Sequence, residues 1–323
     1  MEPIILVIGE SLIDVVEGPD GVCRRLPGGS PLNVAIGLGR LGHHPTMATW
    51  YGQDSDGRLI EAHAEASNVW ILPGCDQASH TSTATARLSA DGSATYEFDL
   101  EWQMPIIPQT EAPLLIHTGS LGALLRPGGD DVLAYIHAGR PNSIVTFDPN
   151  CRPSIMDAPE LVRVGAELYA ANADLVKVSE EDLAWLYPEA SGRAELLAKG
   201  RDWLAMGPSA VVVTLGGDGA IIQLDGLTDI SIAADQRHGL VDTVGAGDSF
   251  MAGLIHGLIN HGYATPGRRG HFGDDVHDLA AIALQAATIA GVTVSRAGAN
   301  PPWINEIEPL LADITPSPWF TES

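Results

Sequence analysis

The sequence predicts an α/β protein with a doubly wound, mostly parallel central sheet and a second, smaller β-sheet. The segment IILVIG (Ile4 to Gly9) is a short continuous apolar run, which is typical of a buried parallel strand. After residue 105, strand patterns alternate with helical patterns of about 10–15 residues, as in a parallel sheet. A chain of 323 residues with 45% apolar composition can bury one large core.

The smaller sheet is predicted by two hairpins near the start of the chain. The first has two β-prone runs around GPDG (Gly18 to Gly21), and the second has two alternating runs around Ala90-Asp91-Gly92. Alternation of apolar and polar residues leaves one face of such a sheet in water. We therefore expect residues 11–27 and 81–101 to form a small sheet that stands off the main body.

The rest of the chain supplies the alternating units. Strands are predicted in LLIHTGSL, SIVTFDPN, DLVKVS and AVVVTLGGDGA, and helices in DDVLAYIHAGR, LVRVGAELYAANA, EEDLAWLY and AELLAKGRDWLAM. A helix from Asp278 to Gly291 is apolar nearly all round and should be buried. The surrounding apolar segment, Leu279 to Val294, falls short of membrane-spanning length. Residues 262–277 show no period, so an exposed loop is expected there, and its Arg268 and Arg269 could equally be solvated or functional.

Composition excludes several classes of protein. The net charge is −24 with only 17 Lys and Arg, which argues against nucleic-acid binding. An anionic ligand must then be held by helix N-termini, a few arginines or a bound cation. The three cysteines are far apart and no CxxC pair occurs, so neither a disulfide framework nor a zinc site is indicated. The start of the chain, MEPIILVIGE, lacks the features of a signal peptide, and we expect a cytoplasmic protein.

The stretch VDTVGAGDSF carries the strongest chemical signal. A turn made of Gly245, Ala246 and Gly247 lets backbone N–H groups converge on an anion, and the following helix adds about half a positive charge there. Asp248 falls in the first turn of that helix. A carboxylate beside an anion hole suits phosphoryl transfer, in which the acid deprotonates a hydroxyl. The alternative is an ordinary glycine-rich turn in which Asp248 only stabilises the start of a helix.

A second glycine motif competes with this interpretation. GLGRLG (Gly37 to Gly42) matches a dinucleotide fingerprint, and Glu61 lies near the expected offset. However, the spacing of Val34, Leu38 and Leu41 indicates one helix that ends at Gly42, whereas the fingerprint must open a helix. Nicotinamide binding is therefore disfavoured, and no P-loop motif occurs.

Taken together, GGSPLNVAIGLGRLG and DTVGAGDSF resemble the two signatures of the ribokinase-like (PfkB) sugar kinases. The blocks between and after them also follow the order of the family: FDPNCRP, KVSEEDL, VTLGGDGA and SRAGANPP. The resemblance covers essentially the whole chain and is closest to bacterial fructokinases. It implies a single ribokinase-like kinase domain over 1–323, in which the small sheet is a lid that closes over the sugar and excludes water.

The resemblance also implies roles for individual residues. Asp248 would be the base, the Gly245–Gly247 turn the anion hole, and Arg152 a catalytic residue that faces the phosphates. Sugar hydroxyls would be held by Asp14, Gly28, Gly29 and Asn33. The nucleotide would be bordered by Lys177, Ser179, Thr214, Gly216 and Gly219. Ordinary alternatives stay open: an exposed strand acid for Asp14, a helix-start residue for Asn33, a simple turn after a strand for the nucleotide loop, and a surface salt bridge for Arg152.

The resemblance also implies binding sites for metal ions. Family members commonly carry Asn-x-x-Glu in a magnesium-organising segment, whereas this chain has Ser179 and Asp182 at those positions, with Glu181 as a further candidate. A monovalent cation such as K⁺ is also implied, near backbone oxygens and an Asp. The matching positions are Asp242, Val244, Thr293, Arg296 and Gly298.

The expected activity is ATP-dependent phosphorylation of a small sugar, with ATP and Mg²⁺ as cofactors and D-fructose as the leading acceptor. Alternatives are 2-keto-3-deoxygluconate, then ribose or a nucleoside, and, in a different class, a non-catalytic sugar-binding regulator. The partners are small molecules, with no nucleic acid and no membrane, and both a monomer and a homodimer are compatible with the sequence.

Overall fold

A computed structural model describes most of the chain. The described residues are 4–18, 22–88, 94–108, 112–269, 271–272, 274 and 276–311. The tips of both predicted hairpins, 19–21 and 89–93, lie outside the described residues, whereas the strands on either side of them are described.

The main body is built on a nine-stranded sheet. Seven of its strands are parallel, in the spatial order β11-β10-β9-β8-β1-β4-β5, and two antiparallel strands, β12 and β13, extend it beyond β11. The strands are β1 (Ile5–Ile8), β4 (Thr46–Ala48), β5 (Trp70–Ile71), β8 (Leu115–Gly119), β9 (Ile144–Asp148), β10 (Leu175–Ser179), β11 (Ala210–Thr214), β12 (Ala220–Leu224) and β13 (Ile230–Ile232). The predicted mostly parallel sheet is confirmed.

The second sheet has four strands in the order β3-β2-β6-β7. They are β2 (Leu12–Glu17), β3 (Cys23–Gly28), β6 (Thr83–Leu88) and β7 (Ala94–Asp99). Each predicted hairpin is an antiparallel pair, and the two hairpins join through a parallel pairing of β2 with β6. The chain passes from the main sheet into this sheet through a short connection, because β2 begins four residues after β1 ends.

Helices cover the main sheet. They are α1 (Ser30–Arg40), α2 (Ser55–Glu65), α3 (Ser120–Leu124), α4 (Gly128–Gly139), α5 (Pro159–Asn172), α6 (Glu180–Leu186), α7 (Arg193–Leu204), α8 (Ala246–Asn260), α9 (Val276–Val294) and α10 (Ile304–Leu311). Helix α8 packs against both α1 and α9, and α3 to α7 form a second group. The backbones of α8 and α9 approach closely, since a Cβ on Gly253 would lie 2.6 Å from Ala286 Cα.

The structure explains the competing glycine motif. GLGRLG lies inside and at the end of α1, which ends at Arg40, two residues before the predicted end. A Cβ on Gly37 would lie 2.7 Å from Ala252 Cβ of α8, and one on Gly39 would overlap the backbone of Ser67. These glycines are therefore required by helix packing, not by a dinucleotide.

Two sequence-based expectations were wrong. The stretch from 262 is not an exposed loop throughout, because Tyr263 and Phe272 are fully buried with their rings edge to face at 5.8 Å. The aromatic rings supply apolar area that no helical or strand period reveals. Helix α9 is also longer than expected. By length and composition alone it could span a membrane, but 56% of the apolar window is buried inside the protein.

Candidate active site

Asp248 lies in the first turn of α8 and is only 5% exposed. The helix begins directly after Gly245, whose φ of +75° is in the left-handed region that favours glycine. A Cβ on Gly245 would also lie 2.6 Å from Ala299 Cβ. Any larger residue is therefore excluded at Gly245 for steric reasons. Without a side chain there, the N-terminal amides of a 15-residue helix are accessible beside the Asp248 carboxylate.

Three side chains donate hydrogen bonds to Asp248. Ser30 Oγ lies 2.7 Å and Asn150 Nδ2 3.2 Å from Oδ1, while Asn33 Nδ2 lies 2.8 Å from Oδ2. Ser30 and Asn33 come from the first turn of α1, and Asn150 follows β9. Asn150 has a φ of +36°, a strained conformation that is common at functional sites. The carboxylate thus lies where α1, α8 and the end of β9 meet.

A buried ion pair lies beneath the glycine turn. Lys177 Nζ is 2.8 Å from Asp148 Oδ2, and the two side chains are 4% and 0% exposed. A Cβ on Gly247 would lie 2.9 Å from this ammonium. Burial raises the pKa of Asp148 to about 6 against the opposing effect of Lys177. Burial favours the neutral form of Lys177, but Asp148 and Asp182 outweigh it and raise its pKa.

Ser179 and Asp182 have a structural role that the sequence did not predict. They form a capping box at the start of α6, in which each side chain accepts a hydrogen bond from the backbone N–H of the other. The second carboxylate oxygen of Asp182 accepts from Cys151 N at 2.7 Å, and Glu181 is exposed. Both carboxylate oxygens of Asp182 therefore accept hydrogen bonds from other groups of the protein.

The residues predicted for Mg²⁺ do not fit a preformed metal site. Both oxygens of Asp182 are occupied by protein donors, and Glu181 lies on the exposed side of the helix. Within the described ranges, no three or more His, Cys, Asp or Glu side chains group as a metal ion requires.

The predicted sugar residues lie at the junction of the two sheets. Asp14 lies on β2 and is exposed. Desolvation by neighbouring protein atoms raises the pKa of its carboxyl group, and the positive charge of Arg152 opposes that effect. A Cβ on Gly28, in the paired strand β3, would overlap the Asp14 carboxylate, and one on Gly29 would lie 2.7 Å from Glu10 O. The Gly-Gly turn is therefore needed for the backbone and Asp14 to approach each other closely.

Arg152 and Glu10 lie near the same junction. Arg152 Nη1 donates to Asn150 Oδ1 at 2.5 Å, although its side chain is exposed. Glu10, which follows β1, is 6% exposed and accepts from Gly122 N at 2.6 Å. Burial raises the pKa of Glu10 to about 7, against the hydrogen bonds and Arg152 that lower it. The sequence did not predict a role for Glu10. The pattern that could have indicated one is an acidic residue two positions after a buried strand.

The predicted nucleotide loop lies on the same edge of the sheet. Thr214 ends β11 and pairs with Ser179 at the end of β10. A 3₁₀ turn over Gly216–Asp218 follows, closed by a 2.7 Å bond from Leu215 N to Gly219 O. The carboxyl ends of adjacent parallel strands thus bring this loop next to the end of β10.

The two segments predicted to hold a monovalent cation also lie side by side. Asp242 accepts from Val244 N at 3.1 Å and from Gly298 N at 2.8 Å, and these hydrogen bonds lower its pKa. Thr293 is buried and donates to Ile289 O, while Arg296 pairs with Glu306. The segments are close to the start of α8, and the cation itself stays a prediction.

Comparison with known proteins shows which family and which fold this chain resembles. Residues 4–306 match the model of the pfkB family carbohydrate kinases. A fructokinase of Klebsiella pneumoniae is 32% identical over 80% of this chain and 85% of its own, and one of Rhizobium leguminosarum bv. trifolii is 34% identical over 79% of each. The crystal structure of a fructokinase from Xylella fastidiosa with bound ATP has the same fold. It superimposes with a TM-score of 0.80 at 21% identity, over 97% of this chain and 99% of that one.

Proposed function

The chain belongs to the pfkB family of carbohydrate kinases, and from this premise we propose that it transfers the γ-phosphoryl group of ATP to a hydroxyl of D-fructose. The observation that carries the proposal is the position of Asp248, a buried carboxylate in the first turn of α8 beside the bare Gly245–Gly247 turn. Relatives that are named fructokinases support the choice of acceptor.

In this proposal the residues around the turn have different roles in the phosphoryl transfer. Asp248 removes the proton of the acceptor hydroxyl, a role that typically contributes roughly 10²–10⁴ in rate. The amides of the glycine turn hold the negative charge of the transferring phosphoryl group, and each such donor is worth roughly 10²–10³. The ammonium of Lys177 is 4% exposed and lies beneath the same turn, where it contributes positive charge while paired with Asp148.

The sugar and the nucleotide approach this turn from opposite sides. Asp14, Gly28 and Gly29 hold the sugar, since carboxylates accept hydroxyl hydrogen bonds and glycines allow a close approach of the ring. The loop after β11 borders the nucleotide. The four-stranded sheet is the lid, and its closure would exclude water as a competing acceptor.

The test is ADP release from MgATP with fructose, 2-keto-3-deoxygluconate, ribose, glucose and adenosine, for the wild type and Asp248→Asn. We expect fructose to be the best acceptor and the variant to lose roughly 10²–10⁴ in kcat. Asp157→Asn, a change of an exposed acid, is the matched control. A better acceptor than fructose would reassign the substrate, and turnover that is equal in the wild type and Asp248→Asn would sink the role of Asp248.

A further inference from the structure

We infer that Oδ2 of Asp248 is the oxygen that takes the proton of the acceptor hydroxyl, and that Ser30 and Asn150 are positioning residues that saturate Oδ1. This inference rests on the proposed function, because it requires Asp248 to be the base. It adds two residues and one atom assignment that the family motif does not specify.

The hydrogen bonds of Asp248 are unequally divided between its two oxygens. A carboxylate oxygen has two lone pairs and so accepts about two hydrogen bonds. Oδ1 receives both Ser30 Oγ and Asn150 Nδ2, whereas among the described residues Oδ2 receives only Asn33 Nδ2. An incoming hydroxyl therefore finds its one open acceptor position on Oδ2.

The two donors to Oδ1 are themselves held in place. Ser30 is 5% exposed at the start of α1, a rigid helix that packs against α8. The amide of Asn150 is oriented because Arg152 Nη1 donates to its Oδ1, so that its NH₂ group faces Asp248. Donors from two different elements prevent the carboxylate from rotating and exchanging its oxygens. Arg152 thereby acts on the base through Asn150.

The proton of the sugar hydroxyl moves to Oδ2 of Asp248, and the sugar oxygen forms a bond to the γ-phosphorus. The bond between the γ-phosphorus and the β–γ bridging oxygen breaks, and its electron pair leaves on the β-phosphate of ADP. In-line attack requires the free lone pair of the base to point at the hydroxyl throughout, which is what the donors to Oδ1 ensure.

The test compares Ser30→Ala, Ser30→Thr and Asn150→Gly with the wild type, in kcat and in KM for sugar and ATP. Glycine is chosen at position 150 because it adopts the left-handed conformation without strain. Loss of one hydrogen bond to a charged group should lower kcat by about tenfold in Ser30→Ala and Asn150→Gly, with both KM values unchanged. Ser30→Thr keeps the hydroxyl and should restore the rate. Ser249→Ala removes a buried hydroxyl next to Asp248 that does not contact it, and is the matched control.

A double-mutant cycle separates this inference from the proposed function. In an Asp248→Asn background, Ser30→Ala should cause no further loss of kcat, because the basic carboxylate oxygen that Ser30 keeps in position is no longer present. The same tenfold loss in both backgrounds, or a loss that appears in KM, would overturn the positioning role. Full activity of Ser30→Ala and Asn150→Gly with an inactive Asp248→Asn would overturn the inference and leave the proposed function standing. Full activity of Asp248→Asn itself would overturn both. Thermal unfolding of each variant checks that the fold is retained.

Discussion

Lys177 and Asp148 form an almost completely buried ion pair, with 2.8 Å between Nζ and Oδ2, directly beneath Gly247 of the Gly245–Gly247 turn. The pair joins two neighbouring strands, β9 and β10, at the edge where the candidate site lies. Its second carboxylate oxygen, Asp148 Oδ1, is buried with no hydrogen-bond partner among the described residues. The charge balance of this small region therefore depends on Lys177.

Removing the cation of this pair should destabilise the protein. Lys177→Met leaves Asp148 buried and unpaired, and we expect the free energy of unfolding to fall by about 3–5 kcal/mol. Urea unfolding measures the change. Lys199→Met, which breaks the partly exposed pair with Asp202, is the control and should cost at most about 1 kcal/mol. Equal costs for the two variants would show that the buried pair carries no special weight.

Glu10 should make stability depend on pH. Its folded-state pKa, raised from 4.5 to about 7, means that the folded protein binds the proton more tightly than the unfolded chain. The contribution of Glu10 to stability is then complete below about pH 4.5 and is lost as the pH rises through about 7. The difference in unfolding free energy between the wild type and Glu10→Gln should change by about 3 kcal/mol across this window. A pH-independent difference would mean that folding does not raise the pKa of Glu10.

The glycines of GLGRLG should matter for stability and not for ligand binding. A Cβ on Gly39 would overlap the backbone of Ser67, so Gly39→Ala must displace α1 or its neighbour and should cost several kcal/mol, on the order of other overpacking changes. Gly165→Ala in α5, where a Cβ would make an ordinary 3.6 Å contact, should instead stabilise by about 0.5–1 kcal/mol. Thermal unfolding with and without ATP distinguishes the two effects. Stabilisation of the wild type by NADH, abolished in Gly39→Ala, would contradict this explanation.

The two arginines that the sequence left undecided should differ in their effect on stability. Arg269 Nε donates to Asp174 at 2.6 Å, and Asp174 is fully buried, so Arg269→Met should lower the free energy of unfolding by about 3 kcal/mol. Arg268 lies over the ring of Tyr263 at 4.4 Å, a contact worth about 1 kcal/mol. Arg268→Met is therefore the milder control. A larger loss of unfolding free energy in Arg268→Met than in Arg269→Met, measured by urea unfolding, would refute the stabilising role of Arg269.

Several elements were predictable because their local pattern matches their environment. The apolar run of β1 is buried, and strands alternate with helices from β8 to β11 as expected. The elements that the sequence did not predict include β4, β5, β13 and α3, which have two to five residues and are too short to show a period. AVVVTLGGDGA was taken as one strand, whereas β11 and β12 are two antiparallel strands separated by a 3₁₀ turn.

Some features of the candidate site were also predictable from local sequence, and others were not. The position of Asp248 in a first helical turn follows from local sequence, since small residues precede an apolar helical period. The roles of Ser30, Asn150 and Glu10 do not, because each depends on a partner more than 90 positions away. Ser179 and Asp182 show the converse, since both were assigned to ligands and instead satisfy each other across a capping box.

The sequence by itself determined the fold class, the family resemblance and the glycine turn with its aspartate, because these features are encoded in short-range patterns of polarity and residue size. Only the tertiary structure decided which side chains surround Asp248, which oxygen is left open, and that Lys177 is paired with Asp148 beneath the turn. These facts arise where the ends of parallel strands and the starts of two helices converge. The distances between such groups are set by the packing of the whole core, which no local pattern specifies.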